Sequence, residues 1–120
     1  MAKKILVADD NPAVRRALVD LFKVEKDYEV CAEARDGTEA IALAIRQNPD
    51  LIILDMSMPV MNGLDAAREL KRIMPEIPII LFTQHADWGL HMTNLHVDRI
   101  VSKNDSLSLM GHVRSLVPAW

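Results

Sequence analysis

The stretch that most limits how this chain can fold is Leu51-Ile52-Ile53-Leu54-Asp55, four consecutive apolar residues that end in a carboxylate. Met56-Ser57-Met58-Pro59 follows and cannot continue a regular strand. A run this short, without polar alternation and closed by turn residues, reads as a strand buried on both faces. Such strands belong to parallel sheets covered by helices. Asp55 then stands at a strand's carboxyl end, where open α/β sheets hold their ligands. Alone, Asp55 reads equally well as a residue that merely ends the strand.

The rest of the chain repeats the pattern. Ile5-Leu6-Val7-Ala8 is a first apolar run and stops at Asp9 and Asp10. Asn11-Pro12 supplies a cap and a proline for the start of a helix. Val14, Leu18, Leu21 and Phe22 give that helix its inner face, and Glu25-Lys26-Asp27 closes it. Tyr28 to Ala34 reads as a second strand. Its weaker alternation suits a place near the sheet edge, and Cys31 within it reads as a small buried hydrophobe. Asp36-Gly37-Thr38-Glu39 caps a second helix with Ala40, Ile41, Ala44 and Ile45 inward, ended by Asn48-Pro49. After the Asp55 strand, Asn62-Gly63-Leu64-Asp65 opens a third helix. Leu64, Ala67, Leu70 and Met74 line it, and Pro75 stops it. Pro78 to Phe82 is a fourth strand ending at Thr83, and Arg99 to Ser102 a fifth ending at Lys103. Residues 86–95 read as a short helix weakened by Gly89 and Thr93. Asn104-Asp105-Ser106 caps a last helix with Leu109, Met110, Val113, Leu116 and Val117 inward. Strand and helix therefore alternate five times, which argues for a doubly wound parallel sheet in the flavodoxin-like order 2-1-3-4-5.

Composition narrows the class. At 120 residues the chain, residues 1–120, reads as a single domain with one real core. A formal charge of −3 argues against a free-standing nucleic-acid binder. Arg15-Arg16 and Lys71-Arg72 read as solvated helix faces. The lone cysteine excludes an internal disulfide and fits a reducing compartment. No apolar stretch approaches the roughly 20 residues of a membrane-spanning helix, and no signal-peptide pattern opens the chain. The expected setting is the cytoplasm, with no membrane contact.

In a parallel sheet all strand ends share one edge, so Asp9, Asp10 and Asp55 converge at the switch between strands one and three. Three carboxylates together repel one another. A divalent cation offsets this, and hard oxygen ligands with spare positions suit Mg2+. Lys103 offers a cation for a phosphoryl oxygen and Thr83 a hydroxyl donor. These are the parts that phosphoryl transfer needs, with Asp55 the best candidate nucleophile.

With Asp9-Asp10, Asp36-Gly37, Asp55 followed by Met58-Pro59 and Gly63, then Thr83 and Lys103, the sequence resembles the response-regulator receiver domain over essentially its whole length. The spacing of Asp55, Met58-Pro59 and Gly63 is a specific signature of that family. The resemblance implies that Asp55 is the phospho-acceptor of a two-component signalling pathway. It implies that Asp10 and Asp55 ligate Mg2+, that Asp9 holds it directly or through water, and that Ser57 contributes its backbone carbonyl. Lys103 would pair with the phosphoryl group, and Thr83 would swing its hydroxyl onto it. The donor would be a sensor histidine kinase, a phosphotransfer protein or a small phosphodonor. The effect would pass to an output domain or partner protein, or to a homodimer formed on phosphorylation. The wording from Asp36 to Lys71 is most like receivers joined to helix-turn-helix outputs, which suggests the N-terminal part of a DNA-binding transcriptional regulator. Such a domain is no enzyme beyond its own phosphorylation and dephosphorylation.

Four features depart from the family's pattern. Gln84 replaces a small residue after the threonine. The segment between Thr83 and Lys103 is shorter than is common and lacks the usual Gly-Ala stretch. Ile100 stands where many receivers carry a rotating aromatic. Asn104, not proline, follows Lys103, so a cis peptide there is not expected. Gln84 and Ile100 favour an alternative, a receiver-like interaction module that does not switch by phosphorylation, while the intact set of Asp9, Asp10, Asp55, Thr83 and Lys103 disfavours it. A phosphohydrolase would want an acid two residues after Asp55, where Ser57 stands, and no glycine-rich phosphate loop for a flavin follows strand one. His85, His91 and His96 have no metal-binding helical spacing and read as surface residues. Trp88 and Met92, one turn apart, read as either a core contact or an exposed partner surface, with core the better reading for one of them, and Trp120 as exposed or at a boundary.

Overall fold

Apolar runs become strands and capped amphipathic stretches become helices. The computed structural model describes residues 2–84 and 96–119. In them β1 (Lys3–Ala8), α1 (Pro12–Lys23), β2 (Tyr28–Ala34), α2 (Gly37–Gln47), β3 (Leu51–Leu54), α3 (Gly63–Ile73), β4 (Ile79–Thr83), β5 (Arg99–Ser102) and α4 (Ser106–Leu116) follow one another. The sheet has the order β2-β1-β3-β4-β5, and every pairing is parallel. The readings of residues 86–95 as a helix, and of His85, His91, Trp88, Met92 and Trp120, fall outside the described residues. His96 is exposed.

Successive side chains of a strand point to opposite faces, and the two cores sort accordingly. Ile5, Val7, Leu51, Ile53, Ile80, Phe82 and Val101 pack with α1 and α4 on one face. Leu6, Ala8, Ile52, Leu54, Ile79 and Leu81 pack with α2 and α3 on the other. All four residues of β3 are buried, so the central strand feeds both cores. Each such side chain contributes roughly 1.5–3 kcal/mol of burial.

The caps behave as their residue types require. Asn11 Oδ1 accepts from the Ala13 and Val14 amides at 2.8 and 3.3 Å, with Pro12 opening α1. Asp36 Oδ1 accepts from the Glu39 amide at 2.8 Å, while Glu39 reaches back to the Arg35 amide at 3.0 Å. Asn62 Oδ1 accepts from the Asp65 amide at 2.9 Å. Asn48 ends α2 in the left-handed region at φ 48°. Asp105 is the exception: it precedes α4 but makes no side-chain capping bond. There Ser102 Oγ accepts from the Asn104 amide at 3.1 Å, and the Ser108 hydroxyl donates to the Asp105 carbonyl at 3.0 Å.

Other expectations need correcting. Ile45 is 60% exposed, because α2 meets the sheet along Ala40 and Ala44 and the next residue rotates away. In α3 the expected inner face holds, with Ala67 and Leu70 buried and Leu64 and Met74 half-buried against the same core, and Ala66 joins them. Cys31 is half-buried, since β2 is an edge strand. Lys71 is no solvated charge: its Nζ donates to the Ile77 carbonyl at 2.9 Å and to Asp98 Oδ2 at 2.8 Å. Asp98 in turn exchanges bonds with Ile79, its Oδ2 accepting at 2.8 Å and its amide donating to the Ile79 carbonyl at 2.8 Å.

Tyr28 closes the far end of the α1–α4 core. Its ring meets Phe22 edge-on at 6.4 Å, and its buried hydroxyl donates to the Val117 carbonyl at 2.7 Å. Tyr28→Phe leaves that carbonyl unsatisfied and is expected to cost about 1–2 kcal/mol, read as a lowered urea midpoint with an unchanged m-value.

Candidate functional site

The site is assembled by backbone bonds at the carboxyl edge of the sheet. The Asp55 amide donates to the Ala8 carbonyl at 2.9 Å, the Asp9 amide to Ala34 at 3.0 Å, and the Lys103 amide to Thr83 at 2.9 Å. Asp9, Asp55 and Thr83 are buried, whereas Asp10 is exposed. Carboxylate oxygens of Asp9, Asp10 and Asp55 lie within 4.8 Å of one another. Lys103 Nζ sits 2.7 Å from Asp9 Oδ2 and 3.2 Å from Asp55 Oδ1, with 15% of its side chain exposed. Asp9 Oδ1 also accepts from the Asn11 amide at 2.9 Å. The sequence-expected acids and lysine are thus brought together. Thr83 stands at the end of β4, on the strand between β3 and β5. Ser57 lies in the loop after Asp55, and its backbone amide works to lower the Asp55 carboxyl's pKa.

The electrostatics follow from this crowding. Burial pushes the Asp55 carboxyl above its ordinary value and the charge of Asp9 adds to that, while Lys103 and the Ser57 amide oppose it. For Lys103 burial alone would lower the ammonium's pKa. The hydrogen bond to Asp9 and the charges of Asp55 and Asp9 outweigh burial and hold it raised. The three acids are hard oxygen donors with one member open to solvent, a set that fits a divalent cation retaining several waters.

The loop behind Asp55 is pinned from below. A Cβ on Gly63 would lie 2.0 Å from the Asp55 carbonyl oxygen, and the Gly63 amide donates to Met56 at 2.9 Å. Gly37 meets the same loop, its amide donating to the Met61 carbonyl at 2.8 Å. Between them Val60 adopts φ 67°, a conformation that costs a branched L-residue about 1–2 kcal/mol. Of the departures noted in the sequence, Gln84 is exposed and Ile100 packs against the α2–α3 core. The peptide after Lys103 is trans, as Asn104 implies.

One residue of the site was not legible as such. Arg15 is only 16% exposed in its side chain, and its Nη1 donates to the Asp9 carbonyl at 2.7 Å. Its Nε lies 3.5 Å from Glu33 Oε1. The available signal was electrostatic. A cation near the start of a helix opposes the helix dipole, and α1 has no acid in its first turn to offset it.

The comparisons agree with this geometry. The family model of the response regulator receiver domain matches residues 5–114, and the chain belongs to that family. A protein-glutamate methylesterase/protein-glutamine glutaminase of Pyrococcus horikoshii is 41% identical over 90 residues, covering 75% of this chain and 24% of that protein. The chain thus spans about a quarter of the length of this curated relative. Among solved structures, a two-component response regulator of the LuxR family from Aurantimonas sp. SI85-9A1 superposes with a TM-score of 0.88 at 27% identity, over 97% of this chain and 85% of that one. The response regulator protein TrrA from Thermotoga maritima, solved in complex with Mg(2+)-BeF, gives 0.86 at 33% identity, over 96% of this chain and 99% of that one.

Two outcomes are expected of the site. Gly63→Ala sets a methyl against the backbone of Asp55, and urea denaturation should show a loss of about 3 kcal/mol. An acid whose folded pKa is raised keeps a proton that the unfolded chain has released, so it weakens the fold as pH rises toward and through its folded pKa. Asp55→Asn should therefore be more stable than wild type at neutral pH. Urea midpoints across pH should show the gain vanish below the ordinary carboxylate range, and a gain independent of pH would contradict this origin.

Proposed function

We propose that this chain is a phospho-accepting receiver of a two-component pathway, with Asp55 as the acceptor. The observation that supports it best is the convergence of Asp9, Asp10 and Asp55 within 4.8 Å around the ammonium of Lys103. A carboxylate oxygen of Asp55 forms the new bond to phosphorus, and the bond to the donor's leaving group breaks. The donor is the phosphohistidine of a sensor kinase or phosphotransfer protein, or a small acyl phosphate. The Ser57 amide favours the ionised carboxylate of Asp55. Lys103 offsets charge on the phosphoryl oxygens, and the Thr83 hydroxyl donates to one of them. Asp9, Asp10 and Asp55, with the Ser57 carbonyl, would hold Mg2+, which when bound supplies positive charge to the transferring group. The complex of TrrA with Mg(2+)-BeF supports this assignment by likeness.

Residues 1–120 act as one domain in this reading, and the effect passes to an output domain or partner, or to a second copy of the chain. The LuxR-family likeness favours a DNA-binding transcriptional output. This segment itself makes no nucleic-acid contact, in keeping with its charge of −3. A cytoplasmic setting suits the free thiol of Cys31, and among the described residues no helix is long and apolar enough to cross a membrane. The packing of Ile100 into the α2–α3 core favours a relay that does not use ring rotation at that position.

Incubation with Mg2+ and acetyl phosphate tests the proposal by intact mass. One phosphoryl group should be gained by wild type, and none by Asp55→Asn or in the presence of a chelator. No gain in wild type, or one that survives Asp55→Asn, overturns it.

A further inference from the structure

We propose that Arg15 is a positioning residue for the acidic cluster: by holding the Asp9 carbonyl it sets the turn that aims Asp9 and Asp10 at Asp55. The inference rests on the reading of that cluster as a cation site and names the residue that shapes it. At the end of β1 the chain leaves the sheet, and the Asp9 carbonyl takes the guanidinium of Arg15 at 2.7 Å. A carbonyl and the following amide form one rigid plane. Fixing the Asp9 oxygen therefore fixes the direction in which Asp10 departs. The other contacts of Asp9 act on different atoms: its amide donates to Ala34, Oδ1 accepts from Asn11, and Oδ2 pairs with Lys103. None of them sets the plane between Asp9 and Asp10.

Arg15 is itself held at three points. Its amide donates to the Asn11 carbonyl at 3.1 Å, where α1 begins. Its Nη1 is on Asp9, and its Nε faces Glu33 Oε1 at 3.5 Å. Glu33 lies on β2 opposite Val7 of β1, so it approaches the guanidinium from the neighbouring strand. The planar fork of arginine can serve a carbonyl and a carboxylate together, which a lysine ammonium on a flexible stem does less well. A charge-assisted bond to a carbonyl is also stronger than a neutral one. The position carries a cation against the dipole of α1, a cost that these two partners offset. Arg16, next along the helix, is exposed.

The test is Mg2+ titration of the full chain, followed by the amide resonance of Asp10, in wild type, Arg15→Met, Arg15→Lys and Glu33→Gln. Removing a group that orients a metal ligand typically weakens metal affinity tenfold or more. Arg15→Met should raise the Mg2+ dissociation constant about tenfold and shift the Asp10 nitrogen resonance before any metal is added. Phosphorylation by acetyl phosphate should return to within about twofold of wild type once Mg2+ is saturating, because the loss lies in binding and not in the transfer step. Arg15→Lys should recover part of the affinity. Should Arg15→Met fail to fold, Glu33→Gln should still raise the dissociation constant by a smaller factor. Wild-type Mg2+ affinity in Arg15→Met, or no recovery at all in Arg15→Lys, overturns the role of Arg15 alone. A wild type that binds no Mg2+ overturns the cation-site reading and this inference with it.

Discussion

The ammonium of Lys103, shared between Asp9 and Asp55, is the interaction on which the arrangement of this domain depends. Two buried carboxylates of like charge oppose each other by about 4 kcal/mol at close range in a medium of intermediate dielectric. A third acid joins them from the solvent side. The lysine comes from β5 and its partners from β1 and β3, with β4 between. Neighbouring strands are about 4.8 Å apart, so the ammonium must cross β4 to reach them. Only a long, flexible stem does this, and it does so only if β4 and β5 keep their register. Charge balance at one edge thereby constrains the order of the sheet.

The same edge is held with little freedom to spare. The Asp55 peptide rests on the start of α3 at Gly63, and the loop beyond it is tied to α2 through Gly37 and Met61. Strain is present too, in the left-handed backbone of the exposed Val60. Such conformations persist only where surrounding bonds over-determine them. Here those bonds are the ones that fix Asp55.

Much of this was legible in the chain itself. The strands announced themselves as apolar runs, and their order followed from the alternation with helices. Asn11, Asp36 and Asn62 marked helix starts, because short polar side chains favour those positions. Asp9, Asp10, Asp55, Thr83 and Lys103 stood out since each ended a strand. What was not legible depends on how elements pack and turn in three dimensions. Ile45 looked inward by spacing, but the close approach of Ala40 and Ala44 turned it out. Arg15 and Lys71 looked like solvated charges; the dipole of α1 hinted at a partner for Arg15, whereas nothing near Lys71 reveals that Asp98, 27 residues on, awaits it. Asp105 had the right identity for a cap, yet the backbone of the preceding turn took its bonds elsewhere.

The anchoring of Asp98 has a consequence for how such a chain can vary over evolutionary time. Asp98 is fastened to Ile79 and Lys71, at the start of β4, and the Lys103 amide is fastened to Thr83, at its end. Both fastenings are made by residues outside 85–95. The register on which Lys103 depends is thus held by donors and acceptors that lie outside that stretch, and substitutions confined to it leave those groups in place. Selection on the sequence of that stretch can therefore act apart from selection on the residues at the strand ends.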